Sequence, residues 1–268
     1  MPAGLIKAFV VDLLYISSAS TVIVSIATTS FGIALEMIEN KKLNYINETQ
    51  KSKQSKKISN AYKRHIYQLD KVKDGLTNAE PDDIIIVGDL DEIPNLEYIN
   101  FDNIKNKLIF FKQKMFYYKL NLFYKELVWT GSRACKRKKL KSPQWLRNVK
   151  NKKYPFWRID TFFSNNKYTN IKFVDNGGWH FTNMKNPEEI FLKFNSFLHN
   201  VDFKFSGLNL EDVKKMVSEK KILYDHFADQ KKLDKWDSEV LLHPVQISEL
   251  PKYIAKNKDK FKNWLDEQ

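Results

Sequence analysis

The chain has 268 residues, 43% of them hydrophobic and 14% aromatic, with eight glycines, eight prolines and a single cysteine. A chain of this size buries roughly three quarters of its unfolded surface. Disorder, collagen-like repeats, a disulfide framework and a cysteine-based zinc cluster are therefore excluded. The formal net charge of +13 admits a nucleic-acid binder, an anionic membrane partner or a phosphate-bearing substrate. Only five of the 45 basic residues are arginine, the planar fork favoured by dedicated phosphate and base readers, so most of the charge reads as a solvated lysine surface. The densest basic run is Lys136 to Lys141.

In chain order, the first notable segment is the uncharged run 13–35, long enough on paper to cross a bilayer. Its Ser and Thr content and the β-branched stretch Thr21 to Ile26 suit buried strands better. A basic start of the signal-peptide kind is lacking at Met1-Pro2-Ala3-Gly4. With one cysteine and no such signal, the expected location is cytoplasmic, or membrane-associated on the cytoplasmic side. Residues 41–59 read as a polar loop. Ile66, Leu69, Val72 and Leu76 predict a helix over 61–77, ended by Glu80-Pro81.

The apolar run Ile84 to Val87 predicts a strand buried on both faces. Lys107 to Tyr118 predicts another strand or a bent pair, and Ile171 to Val174 a third. Pro187 opens a helix whose first turn carries Glu188 and Glu189, which complement the helix dipole. Asn209 caps a helix predicted over 210–223, and Pro251 starts a last amphipathic helix running to Leu265. No repeat or linker divides the chain, so one α/β domain over 1–268 is expected.

The chemistry gathers where the apolar strand ends. Asp89-Leu90-Asp91-Glu92 follows it directly, at the carboxyl end where open α/β sheets bind ligands, with Gly88 free to kink the chain. Clustered carboxylates repel one another unless a cation neutralises them. Hard oxygen donors favour Mg²⁺ or Mn²⁺, bridging protein and substrate phosphate. The competing reading is that Asp91 or Glu92 caps a short helix. A second motif, Gly177-Gly178-Trp179-His180, offers close backbone approach, a flat apolar face and a metal or phosphate ligand. His65, His199, His226 and His243 stand singly and read as structural, with His199 the one to test. Trp129, Trp145 and Trp157 lie among basic residues and are candidates for an acceptor groove.

Residues Pro81 to Pro94 closely resemble the central motif of glycosyltransferase family 17, whose members include the transferase adding a bisecting N-acetylglucosamine to N-glycans. Gly178-Trp179-His180 with Pro187-Glu188 and Lys193 resembles the family's second motif, and Pro251-Lys252-Tyr253 with Phe261 to Asp266 its closing helix. Asp12-Leu13-Leu14 and Thr21 to Gly32 resemble the opening strands, although Ser25 stands where the family pattern carries an acid, so the N-terminal segment 1–40 is divergent. The resemblance implies a GT-A-like nucleotide-sugar-binding fold, a mixed central sheet flanked by helices. It also implies Mn²⁺ or Mg²⁺, a UDP-N-acetylglucosamine donor, a glycan acceptor and inversion at the anomeric carbon.

On that resemblance Asp89 and Asp91 hold the metal and diphosphate, with His180 as a further ligand. Glu92 and Trp179 would hold the donor, and Glu188 or Asp175 would be the catalytic base. Specific nucleic-acid binding is not expected, and peripheral membrane association stays open. The alternatives are a metal-dependent nuclease or other phosphoryl-transfer enzyme, and a non-catalytic basic nucleic-acid binder.

Overall fold

The computed structural model describes residues 70–196, 200–231, 234–236 and 238–266, together with the strand 22–27 and residues 60, 63, 66 and 67. The predicted polar loop 41–59, His65 and His199 lie outside the described residues. Within the apolar run 13–35, Val22–Ala27 forms strand β1, and the rest of the run also lies outside them. Among the described residues no helix is long and apolar enough to cross a membrane. The described positions between 60 and 71 are helical, as predicted, and lead into a tight turn at Val72–Leu76.

Among the described residues the fold is mixed α/β, with two five-stranded mixed sheets and flanking helices in place of the one central sheet expected. The reason lies in how strands continue. Strands β2 (Ile84–Asp89) and β3 (Glu92–Pro94), β4 (Leu108–Phe111) and β5 (Gln113–Tyr117), β6 (Leu122–Trp129) and β7 (Arg133–Lys136), and β8 (Ile171–Val174) and β9 (Gly178–Thr182) are four pairs. Each pair is joined by only one to three residues, and in each the chain passes from one sheet to the other. Of the two readings of 107–118, the structure shows the bent pair, broken at Lys112.

The first sheet has the order β1-β2-β7-β4-β8, and the second runs β10-β6-β5-β9-β3, where β10 is His243–Pro244. β1 lies parallel to β2, and β5 parallel to β9. All four links lie at the seam between the sheets. The acidic link Leu90-Asp91 changes the chain's neighbours there: β2 pairs with β7, whereas β3 pairs with β9.

Strand periodicity builds a core on each face. In the first sheet Ile85, Val87, Leu108, Phe110 and Cys135 face one way, and Ile84, Ile86, Ile109, Phe111 and Ala134 the other. In the second, Met115, Tyr117 and Tyr124 pack against helices α2 (Pro187–Ser196), α3 (Asn200–Ser206), α4 (Leu210–Ser218) and α5 (His226–Gln230), while Phe116 and Phe181 pack against α6 (Lys252–Lys256) and the turn Lys258–Trp264. Helix α1 (Pro143–Asn148) lies beside the first sheet.

Two predicted helices are shorter in the structure. Asn209 caps α4 through a capping box, but the helix stops at Ser218, where Lys220 takes φ 56° and turns the chain into the next segment. The last helix breaks at Asn257 (φ −121°), between α6 and the tighter turn that follows.

Candidate functional site

The site is assembled at the seam. Antiparallel pairing of β3 with β9 sets Glu92 opposite His180 and Ile93 opposite Trp179, so two motifs almost ninety residues apart become neighbours. Gly178 allows this approach. Its φ is +129°, and a side chain there would place a Cβ 2.0 Å from the Ile93 carbonyl oxygen. Gly88 acts through its size rather than as a kink: a Cβ there would meet Ser132 Oγ at 2.7 Å and Glu92 Oε2 at 3.1 Å.

Glu92 opens a strand and caps no helix. Its side chain is fully buried and every oxygen is engaged. Oε1 accepts from Trp129 Nε1 at 2.7 Å and Arg147 Nη1 at 3.1 Å. Oε2 accepts from Arg147 Nη1 at 2.8 Å, the Asp89 backbone N–H at 3.0 Å and Ser132 Oγ at 3.3 Å. A carboxylate so saturated is a framework group, and the structure does not leave it free to position a donor sugar.

Arg147 bridges Glu92 to Asp89, whose Oδ2 accepts from Nη2, and also donates to the Gly131 carbonyl at 2.6 Å. Arg133 fixes the helix that carries it. Buried and stacked 4.5 Å over Phe110, Arg133 donates to the carbonyls of Leu146, Arg147 and Val149 at the end of α1, where a cation complements the helix dipole. Neither arginine stands out as a site residue from sequence. Their scarcity in so lysine-rich a chain is the available signal, because a fixed planar fork is what two converging carboxylates require.

Asp89 and Asp91 keep partly open side chains, 39% and 30% exposed. Burial and the charges of Glu92 and Asp91 outweigh Arg147 and push the Asp89 carboxyl up to about 6. Burial alone would raise Asp91 too, but the His180 charge and hydrogen bond, with Lys193, hold it down at about 2. His180 Nε2 lies 3.4 Å from Asp91 Oδ2. Burial pulls the imidazole down, yet Asp91, Glu92 and Asp89 together raise it. Lys193, on α2, donates to Asn183 Oδ1 at 2.7 Å, and burial lowers its ammonium despite Asp91. Trp129 stacks on His180 at 4.9 Å and meets His226 edge-on at 5.4 Å. Burial and the His180 charge lower His226 to about 3. His226, read as structural from sequence, thus stands beside the site.

Other sequence-predicted residues fall elsewhere. Asp175 is highly exposed and paired with Lys112 at 2.7 Å. Glu188 sits exposed in the first turn of α2, 3.5 Å from Lys214, while Glu189 and Asn186 cap that helix reciprocally. Neither joins the carboxylate cluster. Trp179 is half-buried and donates to the Glu249 carbonyl at 2.7 Å. Trp145 packs against the first sheet and Trp157 is exposed, so with Trp129 they form no common groove. Within the basic run, Lys136 and Lys138 are committed to Asp82.

Among the described residues no group of three His, Cys, Asp or Glu side chains is arranged to hold a metal ion. The donor set still suits a hard cation supported chiefly by its ligand's oxygens. Asp89 and Asp91 present accessible carboxylate oxygens, and His180 Nδ1 is buried with no hydrogen-bond partner. Glu92 is spoken for by Arg147. Comparison of the chain with family models, curated proteins and solved structures gives no significant match.

Proposed function

We propose that the chain is a metal-dependent inverting glycosyltransferase with a GT-A-like fold, moving N-acetylglucosamine from UDP-N-acetylglucosamine to a glycan hydroxyl in β linkage. The observation that carries this reading is the pairing of β3 with β9, which brings the two motifs of the family 17 resemblance together and sets Asp91 against His180. A nucleotide-sugar site needs fixed charge around a diphosphate, and this seam supplies it at the carboxyl end of β2.

Asp89 and Asp91, with His180 beside them, are the residues that would hold the divalent ion, whose charge favours departure of the diphosphate. Arg147 fixes Asp89 from the protein side through Oδ2, so Oδ1 would be the oxygen offered to the ion. Lys193 adds positive charge from α2, preorganised for an anionic leaving group. Trp129 roofs His180 and limits water around the ion pair.

The test is Mn²⁺-dependent release of UDP from UDP-N-acetylglucosamine. The Asp89→Asn, Asp91→Asn double variant is expected to lose about a thousandfold in rate while keeping its circular dichroism. Wild-type turnover by that variant, or nucleic-acid cleavage without UDP release by the parent chain, overturns the reading.

A further inference from the structure

Ten large hydrophobic residues are strongly exposed among the described residues, and five of them, Phe156, Trp157, Ile159, Phe162 and Phe163, fall within eight positions. Each is between 69% and 87% exposed. Single exposed apolar residues are ordinary, whereas a contiguous group marks an interaction surface. We propose that loop 154–163 is a membrane-docking element that inserts these side chains into the interface of an anionic bilayer.

Three observations carry the assignment. The first is charge complementarity: Lys150, Lys152, Lys153, Arg158 and Lys167 surround the loop against a single acid, Asp160, which is itself held by Arg158 and Lys167. Cations also lie beside aromatic groups at both ends of the loop. Lys152 and Arg158 lie over the Tyr154 ring, and a cleft of about 290 Å³ is lined by Lys107, Lys141 and Lys167 together with Phe162 and Phe163. Aromatic tips ringed by lysines match headgroup charge and acyl boundary at once.

The second observation is that turns within the loop satisfy three of its backbone N–H groups, which lowers the cost of entering a less polar medium. Arg158, Thr161 and Phe162 donate their N–H groups to Pro155, Arg158 and Ile159. Third, its base is pinned rather than collapsed onto the core. Lys150 N–H donates to the Asn166 carbonyl at 2.6 Å, and Trp145 Nε1 to the Asn165 carbonyl at 2.8 Å. The apolar side chains are held outward.

Flotation of the intact chain with vesicles tests this without any donor or acceptor, so its outcome is independent of the transferase reading. The wild type is expected to float with mixed phosphatidylcholine–phosphatidylglycerol vesicles and weakly with phosphatidylcholine alone. Salt should reduce the first without abolishing it. Replacing Phe156, Trp157, Phe162 and Phe163 together by Ser should lower partitioning at least about tenfold. Lys152→Glu with Lys153→Glu should lower it selectively for anionic vesicles. Trp157→Phe should remove most of the fluorescence blue shift on binding. The proposal is overturned if the four-serine variant binds as the wild type does, or if the wild type binds neither vesicle. It is equally overturned if the aromatic group instead drives self-association, seen as a concentration-dependent mass that the four-serine variant loses.

Discussion

The seam pocket and the loop 154–163 break the ordinary partition of residues in opposite senses. At the seam, charges turn inward: Glu92 and His180 are buried, Arg147 is half-buried against them, and Asp89 and Asp91 are only partly open. In the loop, aromatic groups are outside, with Asp160 and its cations between them. The seam tolerates burial because nearly every polar atom has a partner, supplied by strands that change sheets within a few residues. The loop tolerates exposure because its turns and its pinned base stop the apolar groups folding back. The two are joined directly, since the chain leaves α1 and its Arg147 and enters the loop within a few residues.

The contrast is broken most forcefully at Arg147. Arg147→Ala leaves Glu92 buried with its principal counter-charge gone, and removing one partner of a buried pair costs about 3–5 kcal/mol. Denaturant unfolding should show that loss, and Arg147→Lys should recover only a fraction of it, because one ammonium cannot span both carboxylates. An unchanged midpoint for Arg147→Ala would mean that the carboxylates are hydrated and the seam is not the dry framework its geometry implies.

How far this contrast is legible in the sequence differs between its halves. Strand β2 and the acids after it can be read from Ile84 to Glu92, because the strand and its charged ends are contiguous. The registry of β3 with β9 cannot be derived from local pattern, since pairing across almost ninety residues leaves no periodic trace. Lys107 to Tyr118 can be read as a bent pair, but not as a change of sheet, because one lysine at 112 marks the break and nothing local says which strands each half will pair with. Arg147 is silent for the same reason: its partners are 55 and 58 residues away. The Phe156 to Phe163 group is present as composition, but exposure is a tertiary property, and aromatic residues in a lysine-rich loop read equally well as core.

A smaller effect is expected from pH, and the buried groups of the seam carry a part of it that substitution can isolate. Asp91, held at about 2 against an ordinary value near 4, stabilises the fold above pH 4, and that contribution is lost as pH falls toward 2. Asp89, raised to about 6, binds its proton more tightly in the folded chain, so stability declines as pH rises from about 4 to about 6. His180, raised above 6.5, stabilises below that value and loses its contribution as pH climbs through the folded value. His226, lowered to about 3, works against Asp89 by gaining stability as pH rises to about 6.5. In metal-free protein the Asp89 contribution therefore appears as the difference in thermal midpoint between wild type and Asp89→Asn from pH 4 to 6, and the His180 contribution as a fall above pH 6.5 that His180→Gln removes. A pH profile unchanged by both substitutions would assign the dependence to groups outside the seam.

The smallest effect should come from the other half of the comparison. Phe162→Ser and Phe163→Ser remove large aromatic side chains, a change that costs about 3–5 kcal/mol where the ring is packed, as for Phe116 in the second sheet. In the loop the rings touch chiefly water, so the same chemistry should move stability by no more than about 0.5 kcal/mol in either direction. Equilibrium unfolding of the two single variants beside Phe116→Ala measures this difference directly. A loss near the packed value at Phe162 or Phe163 would show that the ring is covered in solution, and the loop would then belong to the core rather than to a surface held ready for a partner.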